Sequence, residues 1–459
     1  RDGIFQMFTI REIIEATGGK LTQGDARASV RGVSIDSRTV RKGDLFIAIK
    51  GDTFDGHDFV RDVVGKGIRV VLVAKPVAVK NKNAAVIRVA DTVLALGHLA
   101  RFHRMRFKIP VLAITGSAGK TTTKEMIAAV LRRNYTVLKN EGTQNNHIGV
   151  PMTLLKLKKS HQAVVLECAT NQPGDIPWLA QMVRPDIAVF TNIGVSHLAG
   201  LKDINGVLRE KWQMTSFMPR TGKIVLNADD PLLAVYCARE KRLHVITYAV
   251  GGKARFQAKD ISVVRGCRLR LILEGKTIEL RSCGRNNAYN ALAAFACGRL
   301  LGVAARAAAK ALSAFRFPKG RQEFIRLGKG WLIDDSYNAN PVSMAGAIET
   351  LSALKGQGKK ILVAADMLEL GTRSAAYHRN AGKRTAQAGI DVLITVGPLA
   401  RNIARGALAV RPDMPVFSYD DVQDAGTKLR KVLADGDAVL VKVSRRMKME
   451  GVVRSLLKG

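Results

Sequence analysis

A glycine-rich stretch with one lysine and several hydroxyl side chains has the clearest chemical potential in this chain. It reads Thr-Gly-Ser-Ala-Gly-Lys-Thr-Thr over 115–122, between an apolar run at 111–114 and a segment with helical spacing at 124–131. These flanks are typical of a buried parallel strand followed by a helix. The longer Walker pattern would place its first glycine where Ile114 stands, so the stretch is the shorter G-x-x-G-K-T form.

Each residue type in this stretch suits a phosphate ligand. Gly116 and Gly119 let backbone N–H groups close on an anion at the start of the helix. Lys120 can reach the outer phosphates, and the Thr121 hydroxyl can bind Mg²⁺. We therefore expect a nucleotide site with ATP and Mg²⁺ as ligands. Its loop is completed by Ser117, Ala118 and Thr122.

Two further candidates for the metal follow the predicted strands. Glu167 ends the apolar run at 163–166 and would face the loop if both strands belong to one sheet. A carboxylate there can hold Mg²⁺, which takes a few carboxylates together with phosphate oxygens and water. His197 is a second candidate. A solvated Glu and a surface His are the alternatives for these two residues.

The remaining candidates lie further along the chain. Lys211 falls on a predicted helix at 205–217, where an exposed lysine is the simpler interpretation. Arg321 could act as a charge clamp on phosphate. Asp335, Asn338 and Asn340 follow a predicted strand and form either a polar site or an Asx-rich turn.

The elements that must position these residues predict an α/β protein of three domains. At 459 residues the chain is too long for one core, and helical patterns alternate with short aliphatic runs. We expect a small N-terminal α/β domain at 7–83, a central P-loop-type parallel sheet at 108–317 and a Rossmann-like C-terminal domain at 319–459. A hinge is predicted at 318–320. Strands are predicted at 33–35, 45–49, 70–73, 163–166, 187–190, 224–226, 245–248, 331–333, 360–364, 392–396, 416–418 and 438–443, with helices at 8–17, 91–107 and 287–301 and a β-hairpin at 255–280.

The composition limits the function classes. The formal net charge is +35, but no basic run of five or more occurs and aromatic residues are few, so we expect no specific nucleic-acid partner. Five cysteines without a C-x-x-C pair indicate buried thiols in a reducing compartment. Without an 18-residue apolar run or a signal segment, the expected location is cytoplasmic.

Motifs along nearly the whole chain resemble those of the Mur ligase family, and most closely those of members that add D-alanyl-D-alanine to UDP-N-acetylmuramoyl-tripeptide. The matching segments are 36–38, 43–46, 55–59, 115–122, 145–151, 191–194, 334–341, 366–371 and 444–450.

This resemblance implies a three-domain, ATP-dependent amide-bond-forming ligase that proceeds through an acyl phosphate. Family roles would assign phosphate and Mg²⁺ binding to Lys120 and Thr121, metal binding to Glu167 and His197, and carbamylation to Lys211. The other implied contacts are Asn287 and Asn290 with the adenine, Arg321, Asp335 and Asn338 with the nucleotide on closure of the third domain, and Ser37, Arg38, Asn145, Asn146 and Asn340 with substrate.

The chain departs from the family pattern at several positions near the expected site. These are Ala169, Ala199, Gln213, Asn286, Ala365 and Val443. Lost glycines at 169, 365 and 443 are acceptable only if φ there is negative. Two alternatives stay open: a Mur ligase that adds the third amino acid, and a divergent, weakly active or non-catalytic ATP-binding homologue acting as a partner. We expect a monomer.

Overall fold

Three β-sheets of five, seven and six strands organise the chain, and two smaller antiparallel sheets accompany them. The computed structural model describes residues 6–354, 356, 358–444, 447, 451, 453 and 456. Each large sheet has helices packed against it, so the predicted three-part α/β architecture is confirmed.

The N-terminal unit is built on a five-stranded sheet in the order β2-β7-β6-β5-β4, in which only β2 is antiparallel. Its elements are β1 (Phe8–Thr9), α1 (Ile10–Thr17), β2 (Lys20–Gln23), β3 (Ser29–Val30), β4 (Gly32–Ser34), β5 (Asp44–Ile47), α2 (Val60–Gly65), β6 (Val70–Val73) and β7 (Ala85–Arg88).

Two details of this unit differ from the sequence-based prediction. The first helix begins at Ile10 rather than Phe8, because Thr9 is its N-cap and exchanges hydrogen bonds with Glu12. Strand β7 pairs with β2 and β6, so this sheet continues beyond the boundary predicted at Asn83.

The central unit has a fully parallel sheet in the order β14-β13-β12-β11-β8-β10-β9. Its elements are α3 (Thr92–Met105), β8 (Val111–Thr115), α4 (Lys120–Leu131), β9 (Val137–Lys139), α5 (Gly149–Leu154), β10 (Ala163–Glu167), α6 (Asp175–Val183), β11 (Ile187–Phe190), α7 (Leu198–Leu201), α8 (Ile204–Trp212), β12 (Lys223–Asn227), α9 (Pro231–Arg239), β13 (His244–Ala249), β14 (Phe256–Gln257), β15 (Lys259–Val264), β16 (Arg268–Leu273), β17 (Lys276–Leu280), α10 (Asn286–Leu300) and α11 (Ala305–Ser313).

The predicted hairpin at 255–280 is part of a three-stranded antiparallel sheet, β15-β16-β17. Its predicted turn is correct: Glu274 and Gly275 both have positive φ, of 46° and 69°, between β16 and β17. Two successive residues of this kind are typical of the tight turns that match strand twist.

The C-terminal unit has the strand order β18-β19-β23-β20-β21-β22, parallel except for β18. Its elements are β18 (Glu323–Leu327), β19 (Gly330–Asp335), α12 (Pro341–Ser352), β20 (Lys360–Ala365), α13 (Ser374–Gln387), β21 (Val392–Val396), α14 (Arg401–Leu408), β22 (Val416–Tyr419), α15 (Val422–Val432) and β23 (Ala438–Lys442).

The core of the central unit explains why its strand ends are fixed. Strands β8, β10 and β11 are buried along their whole length, as expected for parallel strands covered by helices on both faces. Each fully buried Val, Leu or Ile contributes about 1.5–3 kcal/mol. Leu112 and Ile114 pack towards α4 and α10, whereas Val111 and Ala113 pack in the cluster on the other face.

None of the helices in the described part of the chain has the length and apolar character needed to span a membrane.

Candidate active site

The site forms where three neighbouring parallel strands end at one edge of the central sheet. Glu167 of β10 pairs with Ile114 of β8, and Phe190 of β11 pairs with Thr115. The residues that follow these strands therefore meet at this edge, which is where open α/β sheets bind ligands. The expected placement of Glu167 in the same sheet as the glycine-rich loop is confirmed.

The loop after β8 has the backbone geometry of an anion site. Gly116 has φ 146° and Gly119 has φ 80°, and a Cβ at Gly116 would clash with the Thr191 hydroxyl. Gly119 is the N-cap of the twelve-residue α4, and among the described residues no side chain caps this helix end. The first N–H groups of α4 and its positive dipole end are thus available to a phosphate.

Two side chains of α4 point their polar atoms at this edge. Lys120 Nζ donates to the Gly116 carbonyl at 2.9 Å, and burial is the main cause of its lowered pKa. The Thr121 hydroxyl donates to Glu167 Oε2 at 2.8 Å. A cation, a hydroxyl and a carboxylate thus converge where nucleotide phosphates would lie.

Glu167 is held from a second direction by the segment that follows β9. Asn145 Nδ2 donates to Glu167 Oε1 at 2.8 Å, and Asn140 bonds the backbone N–H and carbonyl of Glu167. Since each carboxylate oxygen keeps a free lone pair, Glu167 can bind a metal without losing these contacts.

A chain of amide side chains links the loop helix to the C-terminal unit. The Thr123 hydroxyl donates to Asn290 Oδ1 at 3.0 Å, and Asn290 Nδ2 donates to Asn287 Oδ1 at 2.9 Å. Asn287 Nδ2 then donates to Gln322 Oε1 at 2.8 Å. The two predicted adenine contacts therefore lie together on α10, beside the loop.

The C-terminal unit contacts the loop directly. Asn340 Nδ2 donates to the Ser117 carbonyl at 3.1 Å, and its Oδ1 caps α12 by accepting from Ser343 N–H. Arg321 stacks its guanidinium on the Tyr337 ring, 3.5 Å from the centroid. The Nε of Arg321 is buried and has no hydrogen-bond partner in the part of the chain that the structure describes. This arrangement leaves Arg321 with donor capacity for a ligand.

Asp335 and Lys442 form a buried ion pair at the ends of β19 and β23. Lys442 Nζ lies 2.8 Å from Asp335 Oδ2 and donates to the Asn338 carbonyl at 2.6 Å. Burial raises the pKa of Asp335 and lowers the pKa of Lys442, and the ion pair opposes both shifts. The pair fixes the segment that carries Asn338.

Lys211 and His197 both lie close enough to Lys120 for its charge to lower their pKa values. Lys211 is buried on α8, and among the described residues its side chain forms no hydrogen bond or ion pair. Burial, followed by the charge of Lys120, lowers the pKa of Lys211 well below its usual value, which favours the neutral, nucleophilic form of its amine. Burial, followed by Lys120, also lowers the pKa of His197.

A cavity of about 1010 Å³ brings most of the predicted residues together. It is bordered by the glycine-rich loop, by α10 and by the C-terminal unit. Predicted residues that line it are Ser117, Ala118, Gly119, Lys120, Thr121, Thr122, Asn145, Glu167, His197, Asn287, Asn290, Arg321, Asp335, Asn338 and Asn340. A second cavity of about 440 Å³ shares His197, Asn338 and Asn340 with it.

Three predicted substrate contacts are not among the residues that line either cavity. Ser37 and Arg38 lie after β4 in the N-terminal unit, where Arg38 forms a two-bond ion pair with Asp36 and holds the pKa of Asp36 at about 2. Asn146 Oδ1 accepts from the backbone N–H of Gly149, the first residue of α5. Their assignment to substrate stays a prediction.

The positions that depart from the family pattern fall in different surroundings. Ala169 and Asn286 line the large cavity, whereas Ala365 and Val443 are buried in the C-terminal core. Ala199 and Gln213 are exposed. Ala169, Ala365 and Val443 are not among the described residues with positive φ, so the condition for replacing glycine is met at all three. Arg445, Met449 and Glu450 of the matching tail lie outside the described residues.

The donor set beside the loop fits Mg²⁺. Thr121 and Glu167 provide oxygen ligands next to the anion site, and Mg²⁺ usually takes one or two carboxylates together with phosphates and water. In the described ranges no group of three or more His, Cys, Asp or Glu side chains could hold a metal by itself.

Two site residues carried no assigned role in the sequence-based prediction. Lys442 ends β23 and faces Asp335, and Glu369 lies 2.6 Å from His197 although 172 positions separate them. Both belong to matching segments or their flanks, but pairings this distant carry no local sequence signal.

The fold and the site define a protein of three α/β units with the features of a nucleotide site, in which the third unit contacts the glycine-rich loop of the second. Family models cover all three units: the Mur ligase family catalytic domain matches 29–104, the Mur ligase middle domain matches 114–298, and the Mur ligase glutamate ligase domain matches 320–445. The chain belongs to the Mur ligase family.

Individual relatives agree with this assignment over the full length. UDP-N-acetylmuramoyl-tripeptide--D-alanyl-D-alanine ligase of Bacillus subtilis is 36% identical over 98% of both chains. A crystal structure of MurF from Acinetobacter baumannii is 31% identical, with a TM-score of 0.91 over the whole of both chains. MurF ligase from Thermotoga maritima in complex with ADP is 28% identical, with a TM-score of 0.84 over 94% of this chain and 97% of that one.

Proposed function

We propose that the protein joins D-alanyl-D-alanine to UDP-N-acetylmuramoyl-tripeptide at the expense of ATP, as a step in the synthesis of peptidoglycan precursors. The observation that carries this proposal is the cavity of about 1010 Å³ in which the glycine-rich loop, Glu167 and cationic residues of the C-terminal unit meet. The full-length similarity to ligases named for this reaction supports the choice of substrates.

The first chemical step requires the γ-phosphoryl group of ATP to meet the carboxylate of the tripeptide. Attack of a carboxylate oxygen on the γ-phosphorus yields an acyl phosphate and ADP. Lys120 and Arg321 neutralise charge on the transferred group, and the N-terminus of α4 holds the other phosphates. Positioning and electrostatics suffice for this step, so no protein nucleophile is needed.

In the second step the free amine of the dipeptide attacks the acyl carbon. The amide bond forms, the carbon–oxygen bond to phosphate breaks, and inorganic phosphate leaves. The smaller cavity beside His197 and Asn338 adjoins the large one and offers room for the dipeptide. Closure of the C-terminal unit excludes water, which would otherwise hydrolyse the acyl phosphate.

Thr121, Glu167 and His197 would hold Mg²⁺, which neutralises phosphate charge when bound. Lys211 can supply a further metal ligand. Burial lowers the pKa of its amine, and the neutral form of that amine can add to CO₂ with release of one proton to give a carbamate. The carbamate would provide two oxygen donors. We place Ser37 and Arg38 at the uridine end of the first substrate, in the N-terminal unit.

The test is phosphate release from ATP measured with each substrate alone and with both together, across a panel of amino acids and dipeptides. Release that requires UDP-N-acetylmuramoyl-tripeptide and D-alanyl-D-alanine together supports the proposal. Release with the UDP-muramoyl dipeptide and a diamino acid would instead identify the ligase for the third residue. ATP binding without release under any condition would identify a non-catalytic homologue.

A further inference from the structure

The Asp-Met-Leu-Glu-Leu-Gly segment at 366–371 brings a carboxylate from the C-terminal unit to the metal side of the site. Glu369 Oε2 lies 2.6 Å from His197 Nδ1. Because a carboxylate accepts, Nδ1 carries the proton, and the lone pair is on Nε2. Histidine ligands of metals usually donate their second nitrogen to a carboxylate or carbonyl in this way.

The backbone on both sides of this contact has an unusual conformation. His197 has φ 53° and Glu369 has φ 64°. Both lie in the left-handed backbone region, which residues other than Gly and Asn rarely adopt. The Ala199 N–H donates to the Glu369 carbonyl at 3.4 Å, so main chain and side chain of Glu369 both contact the His197 segment. Strained residues of this kind cluster at functional sites.

The segment that carries Glu369 is anchored by its own unit. The Met367 N–H donates to the buried His378 ring at 2.9 Å, and the Ala400 N–H donates to Asp366 Oδ1 at 2.7 Å. The Ser444 hydroxyl donates to the Asp366 carbonyl at 2.5 Å. The position of Glu369 is thus set by the C-terminal unit, and its contact with His197 exists only when the two units meet.

Among the described residues, no other carboxylate bonds to His197. The other side chains that shift the pKa of His197 are the amines of Lys120 and Lys211, and both lower it. We infer that Glu369 is a positioning residue that orients the His197 ring when the C-terminal unit closes, so that Nε2 is presented to the metal. This inference rests on the proposed role of His197 as a metal ligand. If Glu369 acts in this way, the metal site is complete only when the C-terminal unit contacts the central unit.

Mn²⁺ binding in the presence of a non-hydrolysable ATP analogue, followed by electron paramagnetic resonance, tests the inference without turnover. Glu369→Ala should weaken Mn²⁺ affinity about ten- to hundredfold. Glu369→Gln should lose less Mn²⁺ affinity than Glu369→Ala, because the amide oxygen of the glutamine can still accept a hydrogen bond from His197 Nδ1. Asp413→Ala, which removes an exposed carboxylate of the same unit, should bind as the unmodified chain does.

A double variant separates positioning from a general structural effect. If Glu369 acts through His197, then Glu369→Ala should cause no further loss of affinity in a His197→Ala background. Unchanged affinity of Glu369→Ala, or an additive loss in the double variant, would overturn the inference. If His197→Ala itself binds Mn²⁺ normally, the proposed metal role of His197 is wrong and the inference falls with it.

Nitrogen-15 NMR of histidine-labelled protein gives a second readout. The His197 signal, identified by its loss in His197→Gln, should report a proton on Nδ1. In Glu369→Ala the ring-nitrogen chemical shifts of His197 should move towards the values of a mixture of the two tautomers. Unchanged chemical shifts of the other histidines would show that the fold is intact. A His197 signal that does not change would contradict the inference.

Discussion

Asn340 combines two roles that substitution can separate. Its Oδ1 caps α12, and its Nδ2 donates to the Ser117 carbonyl of the phosphate loop at 3.1 Å. Asn340→Asp keeps a cap acceptor but loses the donor, and it places a carboxylate against a carbonyl oxygen. Asn340→Ala loses both. We expect both variants to weaken closure of the C-terminal unit on the loop and only Asn340→Ala to destabilise α12.

The magnitudes follow from the two hydrogen bonds. One net hydrogen bond between the units is worth about 0.5–1.5 kcal/mol, roughly a two- to twelvefold change in the closure equilibrium. Asn340→Asp should lose at least this much because of the added repulsion. Loss of the cap should cost α12 about 0.5–2 kcal/mol, again only in Asn340→Ala.

Closure is measured by the distance distribution between spin labels on the central and C-terminal units with an ATP analogue bound, and helix stability by hydrogen exchange of the Ser343 amide. Asp421→Ala removes the cap of α15 in the same unit and serves as the control: α15 should exchange faster, and closure should not change. Unaltered closure in Asn340→Asp would refute the assigned contact.

Three further outcomes are expected. Lys120→Ala should lower kcat/KM for ATP about 10²–10³-fold in steady-state phosphate release, because the charge facing the transferred phosphate is lost. Removal of CO₂ should lower activity, and bicarbonate should restore it, if Lys211 is carbamylated; Lys211→Ala should not respond to bicarbonate. Lys442→Met should destabilise the C-terminal unit by about 3–5 kcal/mol, because Asp335 is left buried without its partner. Urea unfolding followed by Trp331 fluorescence, with the other two tryptophans replaced by Phe, measures this loss.

A different result would contradict each of these expectations. Full activity of Lys120→Ala would contradict the proposal that the glycine-rich loop binds phosphate, and the circular dichroism spectrum of that variant checks its fold. Insensitivity to CO₂ would exclude a functional carbamate. Asp335→Asn combined with Lys442→Met should recover part of the stability, and a double variant less stable than Lys442→Met would show that the pair is not the cause.

Long apolar runs made most of the fold predictable from sequence. The bounds predicted for Val70–Val73, Ile187–Phe190 and Val392–Val396 agree with the structure residue for residue. Two strands on sheet edges were missed, because Glu323–Leu327 and Val137–Lys139 are only partly buried and mix polar with apolar residues. A strand that is buried on both faces has a continuous apolar run, and this run is what identifies it in the sequence.

The glycine-rich loop was predictable from sequence because its glycines, lysine and hydroxyl residues are contiguous. The contacts between the central and C-terminal units were not predictable. Asn340 reaches Ser117 across 223 positions, and Glu369 reaches His197 across 172. Nothing local to either residue specifies its partner. Only the strand order of two sheets and the meeting of two units bring these side chains together.

Transfer of oxygen from substrate to phosphate tests the central claim most directly. When the tripeptide carboxylate is labelled with ¹⁸O and the reaction is run with ATP and D-alanyl-D-alanine, the acyl phosphate route requires one labelled oxygen in each phosphate released. Mass spectrometry of that phosphate should therefore show a single ¹⁸O. Unlabelled phosphate, formed by attack of water on ATP, would contradict the account.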